Sequence, residues 1–131
     1  MKKNKNNKGF TLVELIVVMA VLAIISAIAV PRFLGVQKQA KIDADYATGA
    51  MIAKAAELYE AKGGDKVGLT GQGLIDSGYL SSIEFKSDDF ASYKPENISI
   101  LFDEGKITVT AKIGEGDTDT LYPRPVEPAT P

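Results

Sequence analysis

No cysteine and no histidine occur among the 131 residues. Their absence removes whole classes of chemistry: disulfides and thiolate metal sites for want of sulfur, and zinc sites, Ser-His-Asp triads and Cys-His pairs for want of imidazole. An enzyme built from this chain would have to work with carboxylates, lysines and hydroxyls, and no convergent pair of acids is identifiable from spacing. Proline and glycine are missing from residues 10–30, FTLVELIVVMAVLAIISAIAV, where Glu14 is the single charged side chain. Basic charge is scarce beyond the start of the chain. Four of the 15 Lys and Arg residues, Lys2, Lys3, Lys5 and Lys8, lie in the first nine positions, which leaves 11 basic against 17 acidic side chains and a net charge of −6 for the remainder. A mildly acidic body of this kind argues against direct nucleic-acid binding.

What is present falls into four segments. Residues 1–9 are basic and asparagine-rich, a flank that stays on the cytoplasmic side while an adjacent apolar segment inserts. The apolar run that follows has 21 residues, about 30 Å of helix, and matches a bilayer core. Its lone carboxylate is costly there, by about 2.5–3.5 kcal/mol even on the lenient insertion scale, so something should offset it. Pro31 and Gly35 interrupt next, and the proline predicts a bend or local melting near residues 27–30, or else simply marks the end of the membrane segment. From Val36 the apolar positions turn one-sided: Val36, Ala40, Ala44, Ala47, Met51, Ala55 and Leu58 recur at helical steps, with Lys38, Lys41, Asp45, Glu57 and Lys62 assigned to the opposite face. Gly63-Gly64 supplies a stop, so one helix over about residues 10–61 is expected.

The rest reads as a loop and a small sheet. Leu74-Ile75-Asp76-Ser77-Gly78 suits a single helical turn, while NISILFDEGKITVTAKI alternates on both sides of Asp103-Glu104-Gly105 and predicts a hairpin. A further strand at residues 83–85 or 90–93 would complete an antiparallel sheet whose apolar face covers the helix stripe, an α+β fold. Residues 36–114 then form the globular part, and residues 115–131 an acidic, then proline-rich tail, with Pro123, Pro125, Pro128 and Pro131, read as extended and partly disordered. Within it Glu115, Asp117 and Asp119 alternate, either as solvated acids or as weak calcium candidates; no other cofactor is suggested. Gly63-Gly64 and Gly71-Gln72-Gly73 are turn glycines, since no phosphate-loop context follows them. Tyr46, Tyr59 and Tyr79 are packing residues with a polar tip.

A basic leader ending in Gly9, then Phe10-Thr11-Leu12-Val13-Glu14-Leu15, then an apolar run closing near Pro31 resembles the N-terminal signature of type IV pilins and the related pseudopilins. The resemblance covers roughly the first 35 residues. It implies that a membrane prepilin peptidase cuts between Gly9 and Phe10 and methylates the new Phe10 amine. The mature chain would then have 122 residues, because nine are removed from 131. It further implies that residues 10–35 first anchor the subunit in the cytoplasmic membrane and then pack against identical helices in a surface filament, driven by separate assembly ATPases and a membrane platform. Adhesion, twitching motility or DNA uptake would belong to that filament. In the family the acid at the position of Glu14 faces the N-terminal ammonium of a neighbouring subunit, which would set assembly register with Phe10; the other reading is an ordinary helix N-terminal acid reaching the membrane surface. In filaments of the family the stretch at the corresponding proline can lose helicity, giving extensibility, so the resemblance implies such a kink at Pro31, with Gly35 a further kink candidate. Many members close their C-terminal loop with a disulfide, which this chain cannot form.

Three functions remain at this point. The first is a pilus subunit, and the second a pseudopilin of a type II secretion system, which calcium at the acidic tail loop would favour. The third is a secreted protein cut at the A-x-A-like site Ala27-Ile28-Ala29, against which stand the length of the apolar run and Glu14.

Overall fold

The computed structural model describes residues 8–126; Lys2, Lys3 and Lys5 of the leader and Pro128 and Pro131 of the tail lie outside the described residues. In chain order the elements are helix α1 (Leu12–Ala61), helix α2 (Gly71–Asp76), a 3-10 turn (Pro95–Asn97) and strands β1 (Ile98–Asp103), β2 (Lys106–Ala111) and β3 (Asp119–Tyr122). The chain divides into two compact units, Met1–Gln37 and Lys38–Pro131, and α1 contributes to both. This is the α+β arrangement expected, with the 50-residue helix ending where Gly63-Gly64 predicted a stop. Pro31 lies inside α1, and residues 27–35 are helical without interruption in this single chain, so the helix neither ends nor melts at the proline before assembly.

In the second unit the three strands form one antiparallel sheet in the order β1-β2-β3. The β1–β2 hairpin pairs Ile98 with Ala111 and Asp103 with Lys106, leaving Glu104-Gly105 as a two-residue turn. Both turn residues have positive φ, 45° and 81°, as a type I′ turn requires, and glycine takes the second position without a steric penalty. The third strand is β3, not residues 83–85 or 90–93. It comes from the stretch read as acidic tail, so the sheet extends past residue 114. A register shift opposite Val109 and Thr110 makes Leu121 an extra residue on β3, and its side chain is fully buried.

The core face of α1 also differs from the apolar stripe. Asp45, Gly49, Ile52, Ala53, Ala55 and Ala56 are buried, whereas Ala40, Ala44, Ala47, Met51 and Leu58 are exposed and only Ala55 is shared. The buried helix residues meet Ile98, Ile100, Val109, Ala111 and Leu121 of the sheet, together with Leu74 of α2 and Leu69, Ile83 and Phe90 from the connections. Gly49 explains why this face was missed: a β-carbon there would stand 2.6 Å from the Leu121 carbonyl oxygen, so the strand lies directly on the helix backbone. A face lined with glycine and alanine looks weak when hydrophobic side chains are counted. It buries well because the partner comes closer.

Asp45, assigned by pattern to the polar face, is fully buried and holds residues 86–87 to the helix. Its carboxylate accepts from the backbone N–H of Lys86 at 2.6 Å, from that of Ser87 at 2.8 Å, and from the Ser87 hydroxyl. Three donors replace the water that a buried carboxylate loses. Nearby, Tyr46 of α1 meets Phe90 edge to face with centroids 5.6 Å apart, and Tyr59 of α1 meets Tyr79 likewise at 5.3 Å, so all three tyrosines pack as expected.

Two predictions follow from these tethers. Asp45→Ala leaves buried donors unpaired and should destabilise the domain by about 1–3 kcal/mol in urea unfolding of the full chain in detergent; an unchanged midpoint would remove Asp45 from the core's requirements. The second concerns Tyr93, whose hydroxyl donates to Asp119 Oδ2; that bond first, and burial second, push its phenol up to about 12 from 10.0. Because folding raises this pKa, its contribution is complete below pH 10 and is lost as pH rises from 10 through about 12. Stability should therefore fall across that window, and more shallowly in Tyr93→Phe; identical alkaline slopes would contradict it.

Candidate assembly and processing site

Residues 8–11 are non-helical and exposed, and α1 begins at Leu12. The start is fixed by a reciprocal cap. The Glu14 backbone N–H donates to Thr11 Oγ1 at 3.3 Å, and the Thr11 N–H donates to Glu14 Oε2 at 3.4 Å. Two helix-end donors that would otherwise need water are thereby satisfied, and the carboxylate sits at the positive end of the helix dipole. Thr11 was not singled out from sequence, although the Thr-x-x-Glu spacing ahead of an apolar run is the signature of such a capping box. Gly9 and Phe10 immediately precede the cap, exposed and outside the helix. A β-carbon built on Gly9 meets nothing within 4 Å, so the chain's own fold does not require glycine there.

Around Glu14 the surface is apolar, formed by Phe10, Val13, Leu15, Val17 and Val18. Along residues 10–30 the large hydrophobic side chains are all between 49% and 84% exposed. Among the described residues α1 is the one helix long and apolar enough to cross a membrane, and its most apolar stretch has no buried residue. At about 25 cal/mol per Å² of apolar area, a surface this continuous carries a strong drive to be covered by lipid or by other helices. Pro31 and Gly35 lie farther along α1, away from this N-terminal cluster, and a β-carbon on Gly35 would also meet open space.

The acidic residues of the tail are arranged differently. Glu115 and Asp117 are exposed, while Asp119 opens β3 and receives the Tyr93 hydroxyl. Among the described residues no group of three or more carboxylates is placed to hold a metal ion.

Comparison with known proteins bears on the same N-terminal segment. Residues 4–30 match the family model of the prokaryotic N-terminal methylation motif. Prepilin peptidase-dependent protein A of Clostridium perfringens is 33% identical over 97 residues, 74% of this chain and 69% of that protein. The chain belongs to the type IV pilin family. Type IV major fimbrial protein FimA of Dichelobacter nodosus is 28% identical over 112 residues, covering 79% of this chain and 70% of that protein. Type IV major pilin protein PilA of Myxococcus xanthus is 47% identical over 38 residues, which cover 29% of this chain and only 17% of its own length. No solved structure gives a significant match. The family is one of structural pilins, and the chain is accordingly not an enzyme. The fold accords with the family too: a long N-terminal helix, bare and apolar in its first half, precedes a small antiparallel sheet.

Proposed function

We propose that this chain is cut between Gly9 and Phe10, is stored in the cytoplasmic membrane, and polymerises through α1 as the structural subunit of a type IV pilus. The observation that carries the proposal is the uncovered apolar run of residues 10–30 with its single carboxylate, in a chain of this family. Lipid covers such a run in the stored subunit, and copies of the same helix cover it in the filament.

Cleavage gives Glu14 its partner. Before the cut, the nitrogen of Phe10 is an uncharged amide; afterwards it is an ammonium, cationic at neutral pH whether or not it is methylated. An opposite charge within about 4–6 Å relieves much of the penalty of burying the carboxylate, and a wrong axial register leaves both groups unpaired. Processing thus supplies the charge that selects register. The capping box helps by holding the carboxylate at the helix start.

The second unit supports the same reading. Ala40, Ala44, Ala47, Met51 and Leu58 follow one another at steps of four, three, four and seven on the face of α1 that its own core does not use. Such spacing suits packing against another helix, and small side chains let the backbones approach closely.

Glu14→Ala should be processed normally yet give at least about tenfold less sheered-off filament, since a tenfold change corresponds to only about 1.4 kcal/mol of lost pairing. Met51→Lys, on the exposed face, should leave unfolding of the subunit within about 0.5 kcal/mol of wild type while also lowering filament yield. Full yield from both variants would sink the polymerisation reading. A third variant separates processing from folding: Gly9→Leu should keep wild-type stability, because no atom contests the added side chain, but accumulate as uncut precursor. Mature-length Gly9→Leu protein in the membrane would refute the proposed cleavage site.

A further inference from the structure

Beyond Tyr122 the described chain continues through Pro123, Arg124, Pro125 and Val126. Prolines at two of these four positions have no N–H to give, so the segment cannot prolong the β3 ladder. No backbone hydrogen bond joins residues 123–126 to other described residues, and Val126 is 93% exposed. Pro123 and Pro125 lie beside α1, and the polar attachment of the segment is the Arg124 side chain. The Arg124 guanidinium bonds Asp43 Oδ1 of α1 at 2.8 Å and lies over the Tyr46 ring, 4.6 Å from its centroid.

The receiving surface on α1 is ordered in advance. Gln39 Nε2 donates to the same Asp43 oxygen at 3.1 Å, and Tyr46 is braced edge to face by Phe90. The Gln39 hydrogen bond, then that of Arg124, holds the Asp43 carboxyl below its ordinary range, so the acid is ionised at neutral pH. Gln39, Ile42, Tyr46, Asp89, Phe90, Arg124 and Pro125 line one open cleft, which places the side of the guanidinium against an aromatic wall and its end against a carboxylate. A planar, permanently charged fork suits both contacts, which lysine matches only as a point charge. Both partners of the ion pair are about half exposed, at 51% and 49%, so salt reaches the contact and weakens it.

We propose that residues 123–126 form a strap latched onto α1 by Arg124, which opens and closes without unfolding the sheet. The three contacts of β3 with β2 and the burial of Leu121 hold the strand independently of the latch. Opening widens the cleft that Ile42 and Tyr46 of α1 line together with Arg124 and Pro125.

The test is backbone ¹⁵N relaxation on the full chain in detergent micelles, read at the amide of residue 124. In wild type at low salt its order parameter should lie near about 0.85, the level of rigid backbone, and in Arg124→Ala it should fall below about 0.6. Asp43→Asn should give a smaller fall, Arg124→Lys an intermediate one, and about 0.5 M NaCl should shift wild type in the same direction. Throughout, amides of β1, β2 and Leu121 should keep their values. The proposal is overturned if residue 124 stays rigid in both Arg124→Ala and Asp43→Asn. It is equally overturned if Leu121 and β2 loosen together with it, because strap and strand would then be one cooperative unit.

Discussion

A run of 21 residues, apolar except for Thr11, Glu14 and Ser26, that the chain does not cover for itself sets the terms for everything else in this protein. A domain with enough hydrophobic side chains to fill a core normally folds them inward, yet here residues 10–30 stay bare while the sheet is served by a separate, modest set of side chains. That division makes two demands. The apolar half of α1 needs an external cover at every stage, and the remaining half must carry a small domain with little hydrophobic material to spare. Glu14 sharpens the first demand, because a cover that ignores the carboxylate leaves a charge in an apolar surface.

The domain meets the second demand by close approach and by polar pinning. Gly49 lets β3 lie on the helix backbone, and the register shift in β3 turns Leu121 into that contact, so one glycine and one extra strand residue do the work of a larger side chain. Asp45 then ties the connection between α2 and the sheet to the same helix face, while Tyr93 ties its far end to Asp119. These hydrogen bonds fix loops that too few apolar contacts would leave free, in a chain without cysteine to fix them covalently.

Much of this was legible in the residues and some was not, for identifiable reasons. The extent of α1 followed from an apolar run, a one-sided helical pattern after it and a glycine pair, and the hairpin followed from alternation around Asp103-Glu104-Gly105. The face of α1 that packs did not follow, because periodicity counts hydrophobic side chains and the true face contains Asp45 and Gly49. The stripe that periodicity did find is real but faces outward. Strand β3 was hidden by its acidic and proline-rich surroundings, which resemble a tail by composition although the strand pairs with β2 and buries Leu121. At the N-terminus Gly9, Phe10 and Glu14 stood out by motif, whereas Thr11 was passed over because its role depends on a reciprocal hydrogen bond. Pro31 promised an interruption, yet a helix on both sides of it tolerates one missing hydrogen bond.

The central claim is that the apolar half of α1 is kept for life and covered in turn by lipid and by other copies of itself. The most direct measurement is the intact mass and N-terminal sequence of the protein recovered from material sheared off the cell surface, compared with that from the membrane. A chain of 122 residues beginning with N-methylated Phe10 in both fractions is the expected result. A chain beginning at Val30 would show that the helix is discarded at secretion, and would contradict the account at its foundation.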